Sequence, residues 1–245
     1  ENIATKEFGN NPILGKVAIQ KYYSDGDTGE LAPEINAIFQ VYLTSKGSYD
    51  ACGEYEKATI KTDTNGYAIT PDLYYGKYTV HQVDSGDVDA IEVKDFPVEI
   101  TENGKVYTYP LNNTLFKAYL RILKLDGKTE KQVLKAGTTY QIYKLVTDKE
   151  TGKEAEELVE QSYSNGNKVV KVNQFVSDES GEIMTVKPLR SATYRIYETK
   201  AATGLHISTN YIEVTINSKA DNYESYVDED GNTHLIVKVF YTNDE

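Results

Sequence analysis

Apolar and polar positions alternate with a period of two through most of the chain. Val17-Ala18-Ile19, Phe39-Gln40-Val41-Tyr42, Tyr78-Thr79-Val80, Tyr119-Leu120-Arg121-Ile122, Tyr140-Gln141-Ile142, Tyr194-Arg195-Ile196 and Leu235-Ile236-Val237 all carry it. Such alternation sends successive side chains to opposite faces, so these segments predict short strands with one face packed and one wet. Between them stand Asp63-Thr64-Asn65-Gly66, Asp178-Glu179-Ser180-Gly181 and Asp230-Gly231-Asn232, which supply the positive-φ positions of tight turns. Strands at this spacing predict an all-β chain built of β-sandwiches. The segment from Lys149 to Gln161 breaks the pattern: it carries Lys153, Glu156, Glu157 and Glu160 without an apolar stripe. It is expected to be a solvated insertion with one or two helical turns.

The pattern also repeats. Gly15-Lys16-Val17-Ala18-Ile19-Gln20-Lys21 returns as Ala118-Tyr119-Leu120-Arg121-Ile122-Leu123-Lys124, and Ile38-Phe39-Gln40-Val41-Tyr42 returns as Thr139-Tyr140-Gln141-Ile142-Tyr143. Thr62-Asp63-Thr64-Asn65-Gly66 matches Ser177-Asp178-Glu179-Ser180-Gly181, and Tyr78-Thr79-Val80-His81-Gln82 matches Tyr194-Arg195-Ile196-Tyr197-Glu198. Blocks recurring in one order predict two copies of one fold: residues 14–117 and 118–245, after an N-terminal extension of 1–13.

Composition narrows the functional classes. The 245 residues hold 26 Lys plus Arg against 38 Asp plus Glu, a formal net charge of -12, which repels nucleic-acid phosphates and anionic headgroups. The single cysteine, Cys52, excludes an intrachain disulfide, and His81, His206 and His234 lack metal-ligand spacing, so no metal or cofactor is expected. The 21 tyrosines suit half-buried strand rungs. No apolar run is long enough to span a bilayer and no start resembles a signal peptide, so the targeting and anchoring segments of an exported protein would lie outside this sequence. The acidic stretches Asp84 to Asp89 and Asp228 to Gly231 do not complete a calcium loop, and no hydrolase, zinc-protease or phosphate-loop motif is present.

Taken in order, these blocks resemble the collagen-adhesin B-type domains (prealbumin-like, SpaA-type) of Gram-positive pilins and surface adhesins. That family's pattern is a first strand ending in Lys, an Ala-x-Phe-x-Val block, a Thr-Asp-x-x-Gly turn, a Leu-x-x-Gly-x-Tyr-x-x-x-Glu segment and a last strand ending in Asn. Glu198-Thr199-Lys200-Ala201-Ala202-Thr203-Gly204-Leu205 is similar to its Glu-x-x-Ala-Pro-x-Gly-Tyr, departing at Ala202 and Leu205. The resemblance implies two tandem Ig-like β-sandwiches that act structurally, as a stalk segment of an extracellular, cell-wall-anchored adhesin or pilin. Turnover is not expected. The implied partners are other domains of the same surface protein or pilus. The alternative is a module that binds a host matrix protein or glycan, through the loops of 144–170 and 218–233. Leu111 stands where a polymerising pilin lysine would, which favours a stalk or adhesin over a backbone pilin.

The resemblance further implies an autocatalytic isopeptide bond. In the second copy Lys124 is the nucleophile, Asn243 the carboxamide and Glu198 the proton shuttle. In the first copy Lys21 and Asn113 match, with Asn112 as alternative acceptor, but Gln82 holds the acid's position. A carboxamide has no titratable proton to relay. The first crosslink is therefore left open between absence, slow formation and service by another carboxyl group, and the bland reading of Lys21, Gln82 and Asn113 is a hydrogen-bonded polar cluster. Cys52 with Gln82 would fit a thioester pair, but Ser48-Tyr49-Asp50-Ala51-Cys52-Gly53 lacks that family's surroundings, and an ordinary unpaired cysteine is the favoured reading.

Overall fold

The computed structural model describes residues 10–26, 28–148 and 150–242. Residues 1–9 of the expected extension and Asn243 lie outside them. The chain divides into two compact units, up to Leu115 and from Phe116, and the described regular structure is almost wholly β.

The first unit contains β1 (Leu14–Ser24), β2 (Leu31–Pro33), β3 (Ile38–Leu43), β4 (Lys57–Lys61), β5 (Tyr67–Ile69), β6 (Leu73–Tyr74), β7 (Gly76–Asp84), β8 (Phe96–Ile100) and β9 (Val106–Thr114). One sheet runs β4-β3-β7-β8 and the other is centred on β1, which pairs with β2, β5, β6 and β9. The β1–β9 pairing is parallel, from Lys16 opposite Val106 to Ser24 opposite Thr114. Alternate residues of both sheets fill the core, with Val17, Ile19, Phe39, Val41, Tyr78, Val80 and Ile100 fully or almost fully buried. Each such side chain contributes about 1.5–3 kcal/mol relative to exposure.

The second unit repeats the plan. It contains β10 (Lys117–Leu125), β11 (Thr139–Thr147), β12 (Glu154–Leu158), β13 (Gln161–Asn165), β14 (Lys168–Val172), β15 (Phe175–Val176), β16 (Glu182–Met184), β17 (Leu189–Arg190), β18 (Ala192–Lys200), β19 (Tyr211–Ile216), β20 (Tyr223–Val227) and β21 (Thr233–Thr242). One sheet runs β12-β11-β18-β19 and the other β16-β10-β21-β20. The first and last strands again pair in parallel, from Tyr119 opposite Ile236 to Leu125 opposite Thr242. Leu120, Ile122, Tyr140, Ile142, Ile196, Val237 and Tyr241 lie in its core.

The expected helical turns after Lys149 are instead β12 and the hairpin of β13 and β14. β12 pairs antiparallel with β11, bringing Glu156 opposite Leu145. Glu156 accepts hydrogen bonds from Arg195 Nη1 at 2.9 Å and Tyr197 Oη at 2.8 Å. The glutamates thus belong to a charged edge strand, a form that discourages edge-to-edge pairing, and cross-strand partners outweigh helix propensity.

The turns form where their glycines demand. Gly66 (φ 73°) and Gly181 (φ 76°) close turns by donating to Asp63 O and Asp178 O. Their carbonyls receive the backbone N–H groups of Lys21 at 2.7 Å and Lys124 at 3.3 Å. A Cβ on Gly181 would stand 1.7 Å from the Val133 carbonyl oxygen. Gly181→Ala is expected to destabilise the second unit by at least about 2 kcal/mol, read by chemical denaturation, while an exposed open glycine such as Gly166 tolerates alanine with a smaller loss.

Candidate functional site

A buried lysine marks each unit. Lys21 near the end of β1 and Lys124 near the end of β10 are 0% and 1% exposed. Ammonium groups in such surroundings cost several kcal/mol unless paired, and each meets a buried carboxyl group.

In the second unit, Lys124 Nζ donates to Glu198 Oε2 at 2.6 Å and lies 4.7 Å from the centroid of the Tyr241 ring. Glu198, on β18, also accepts the Ser208 backbone N–H on Oε2 at 3.1 Å. Its other oxygen is buried without a hydrogen-bond partner among the described residues, as is the Tyr140 hydroxyl. The Tyr140 and Tyr241 rings meet edge to face at 5.2 Å. Burial pushes the Tyr140 phenol far above its ordinary range, so it stays neutral. The apolar enclosure thus holds an amine against a carboxyl group, the arrangement required for proton transfer from a nucleophile.

In the first unit the carboxyl group comes from elsewhere. Lys21 Nζ donates to Glu34 Oε2 at 2.8 Å and to the Tyr22 carbonyl at 3.0 Å. Glu34 follows β2 and is fully buried. Its Oε1 accepts from Gln82 Nε2 at 2.9 Å. Gln82 Oε1 in turn accepts the Val93 backbone N–H at 3.0 Å and Asn113 Nδ2 at 3.2 Å. A backbone N–H can only donate, so the Val93 contact fixes which end of the Gln82 amide is oxygen, and Gln82 fixes that of Asn113. Asn113 Oδ1 is left buried and unpaired among the described residues. Burial pushes the Glu34 carboxyl up and the Lys21 ammonium down, and their mutual hydrogen bond opposes both shifts. Both burial effects favour the uncharged pair.

The predicted residues therefore assemble as follows. Lys124 meets Glu198, while Asn243 lies outside the described residues. Gln82 occupies the place of Glu198: Phe39 faces Gln82 and Tyr140 faces Glu198, each beside a shift in strand register. Asn113 is buried and Asn112 exposed. Lys21 stands opposite Leu111, two positions before Asn113, and Lys124 stands opposite Tyr241, two positions before 243 in the sequence. Cys52 is buried with Sγ toward the Leu43 and Ser48 carbonyls, whereas Gln82 is committed to Glu34, Val93 and Asn113. The Asp228 carboxylate is used by its own turn and by His234, and the described residues hold no metal-binding cluster.

Glu34 escaped the sequence comparison because its segment differs in length between copies. Glu34 N–H bonds the Lys21 carbonyl and Glu34 O receives Thr62 Oγ1. In the second copy these contacts are divided between Val133 N–H, on Lys124 O, and Lys135 O, which receives Ser177 Oγ. Gln82 in place of a carboxylate at the Glu198-equivalent position of β7 was the available signal to look for one in the segment after the lysine strand.

The sequence pattern of the SpaA prealbumin-like fold domain matches residues 118–231. Comparison with curated protein sequences gives no match. Among solved structures, the Bacillus anthracis TIE protein is similar over 95% of this chain at 23% identity and a TM-score of 0.55; the chain spans only 35% of that protein's length. The minor pilin GBS52 of Streptococcus agalactiae is similar over 93% of this chain and 94% of its own, at 15% identity and a TM-score of 0.36. The shaft pilin SpaA of Lactobacillus rhamnosus GG is similar over 95% and 98%, at 15% identity and a TM-score of 0.37. At the identity of the TIE protein the likeness is one of fold, and it agrees with the sandwich built in each unit. Residues 118–231, the greater part of the second unit, are thus similar to the SpaA prealbumin-like fold domain, the type that the sequence motifs resemble.

Proposed function

We propose that the chain is a structural stalk segment of a Gram-positive surface adhesin or pilin, made of two sandwich domains that each staple themselves with a Lys–Asn isopeptide bond. One observation carries this reading: in both units the first strand buries a lysine against a buried carboxyl group. A buried ion pair is weak evidence of stability, since apolar residues of similar volume often serve as well or better. Its retention at matching places in two copies is accounted for by chemistry.

In the second unit, Glu198 takes the proton that Lys124 sheds, the neutral Nζ attacks Asn243 Cγ, the carboxamide nitrogen leaves as ammonia with a proton returned by Glu198, and Glu198 takes the second proton from Nζ. One C–N bond forms and one breaks, so no oxidant, metal or cofactor enters and each site acts once. In the first unit the nucleophile is Lys21 and the carboxamide Asn113. The partners of such a segment are the neighbouring domains of its own surface protein or pilus.

Intact mass spectrometry of the purified chain tests the reading. The expected mass is short by two ammonia molecules, with crosslinked peptides joining Lys21 to Asn113 and Lys124 to Asn243. An unshifted mass overturns it. Saturable binding to a glycan or matrix-protein array would instead favour the recognition module.

A further inference from the structure

Resting on that reading, we infer that Glu34 is the catalytic carboxyl group of the first unit and that Gln82, at the place held by Glu198 in the second, serves as a positioning residue for Asn113. The carboxyl group has moved across the core from the β7 side to the segment after β2.

Glu34 touches the reacting amine directly, through the 2.8 Å contact to Lys21 Nζ. Its side chain is fully enclosed, and burial favours its protonated form. Gln82 bridges the two halves of the reaction, giving Nε2 to Glu34 and holding the Asn113 amide by Nδ2. That grip leaves the Asn113 carbonyl oxygen without a hydrogen-bond donor among the described residues.

The proton balance closes with these groups. Glu34 accepts a proton from Lys21, and Nζ bonds to Asn113 Cγ. Nδ2 then hangs from the same carbon as Nζ, so a carboxyl group lying against one nitrogen is beside the other. Glu34 gives that proton to Nδ2 and takes the second proton from Nζ as the Cγ–Nδ2 bond breaks, so ammonia leaves and the Glu34 carboxyl group ends protonated. Gln82 is not asked to relay a proton, which an amide does poorly.

In the first unit one residue makes the two contacts that Val133 and Lys135 divide in the second, and this accounts for the relocation. Because Glu34 supplies both the N–H to Lys21 O and the carbonyl to Thr62, its Cα is held close to Lys21. In the second unit Val133, not an acid, makes the contact to Lys124 O, and the acid stands on β18.

The test compares the full chain with Glu34→Gln and with Glu34→Val/Gln82→Glu, which writes the second unit's arrangement into the first. Peptide mapping follows the Lys21–Asn113 crosslink, and the Lys124–Asn243 crosslink in the same molecule is the internal standard. The expected result is that Glu34→Gln retains the first unit's ammonia and that the double variant loses it again. A crosslink persisting in Glu34→Gln, or one not restored in the double variant, overturns the assignment. Absence of the Lys21–Asn113 crosslink in the unmodified chain overturns the crosslink reading itself for that unit, so the two failures are distinguishable.

Discussion

Replacing Glu198 by alanine is expected to leave the second unit uncrosslinked, so that the chain loses one ammonia, from the first unit, in place of two. Lys124 and Asn243 are 119 positions apart. In the chain-entropy description used for disulfides, closing a loop of that size stabilises by roughly 4–5 kcal/mol. The variant also leaves Lys124 buried without its carboxylate and removes the acceptor of the Ser208 N–H. The melting temperature of the second unit should therefore fall by about 20 °C or more, with faster proteolysis between residues 124 and 242. Glu198→Gln separates the causes, because it can still accept from Ser208 but has no proton to relay. It should lose the crosslink with less damage to the fold. A second ammonia loss surviving in either variant would remove Glu198 from the proposed reaction.

The second large effect concerns the charge left behind when a buried pair is halved. In a chain carrying Asn113→Ala, where the first crosslink cannot form, adding Lys21→Met strands the Glu34 carboxylate in the core. Loss of one partner of a buried ion pair costs about 3–5 kcal/mol, and adding Glu34→Leu should recover most of it. The pH dependence has a fixed sign. Burial already raises the Glu34 pKa above its ordinary value of 4.5, and removing the lysine takes away the interaction that opposed the rise. The folded state then binds a proton more readily than the unfolded one. The penalty should be absent below about pH 4.5 and should grow as pH rises through the elevated folded value. Denaturation curves at pH 4 and pH 7 measure it; equal penalties at both would mean that Glu34 is not charged and isolated in that variant.

Much of this architecture was legible because period-two alternation and Asp-to-Gly turns are local signals. Lys124 and Glu198 could be paired through the family resemblance, since both lie on long strands whose flanking blocks match that pattern. Glu34 could not, because it lies where the two copies differ in length and so has no single counterpart. The glutamates of β12 misled for a related reason: helix propensity is local, whereas their partners Arg195 and Tyr197 arrive from β18, some forty residues later. The alternation of β9 turns Asn113, the acceptor that the family pattern matched, inward and Asn112, its alternative, to solvent.

The parallel pairing of first and last strands has a consequence for length under tension. Leu14 and Thr114 lie at opposite ends of the β1–β9 ladder, while Lys21 and Asn113 lie together near the end where the chain leaves. With the crosslink formed, the tensile path runs from Leu14 to Lys21 along a strand that is already extended, crosses to Asn113 and exits. The 91 residues between Lys21 and Asn113 hang off that path as a closed loop and can release no slack. Without it, the same residues could pay out roughly 300 Å of chain. Each unit is then an inextensible link that transmits a sudden pull undamped, and any compliance in an assembly of such units must come from the segments between them.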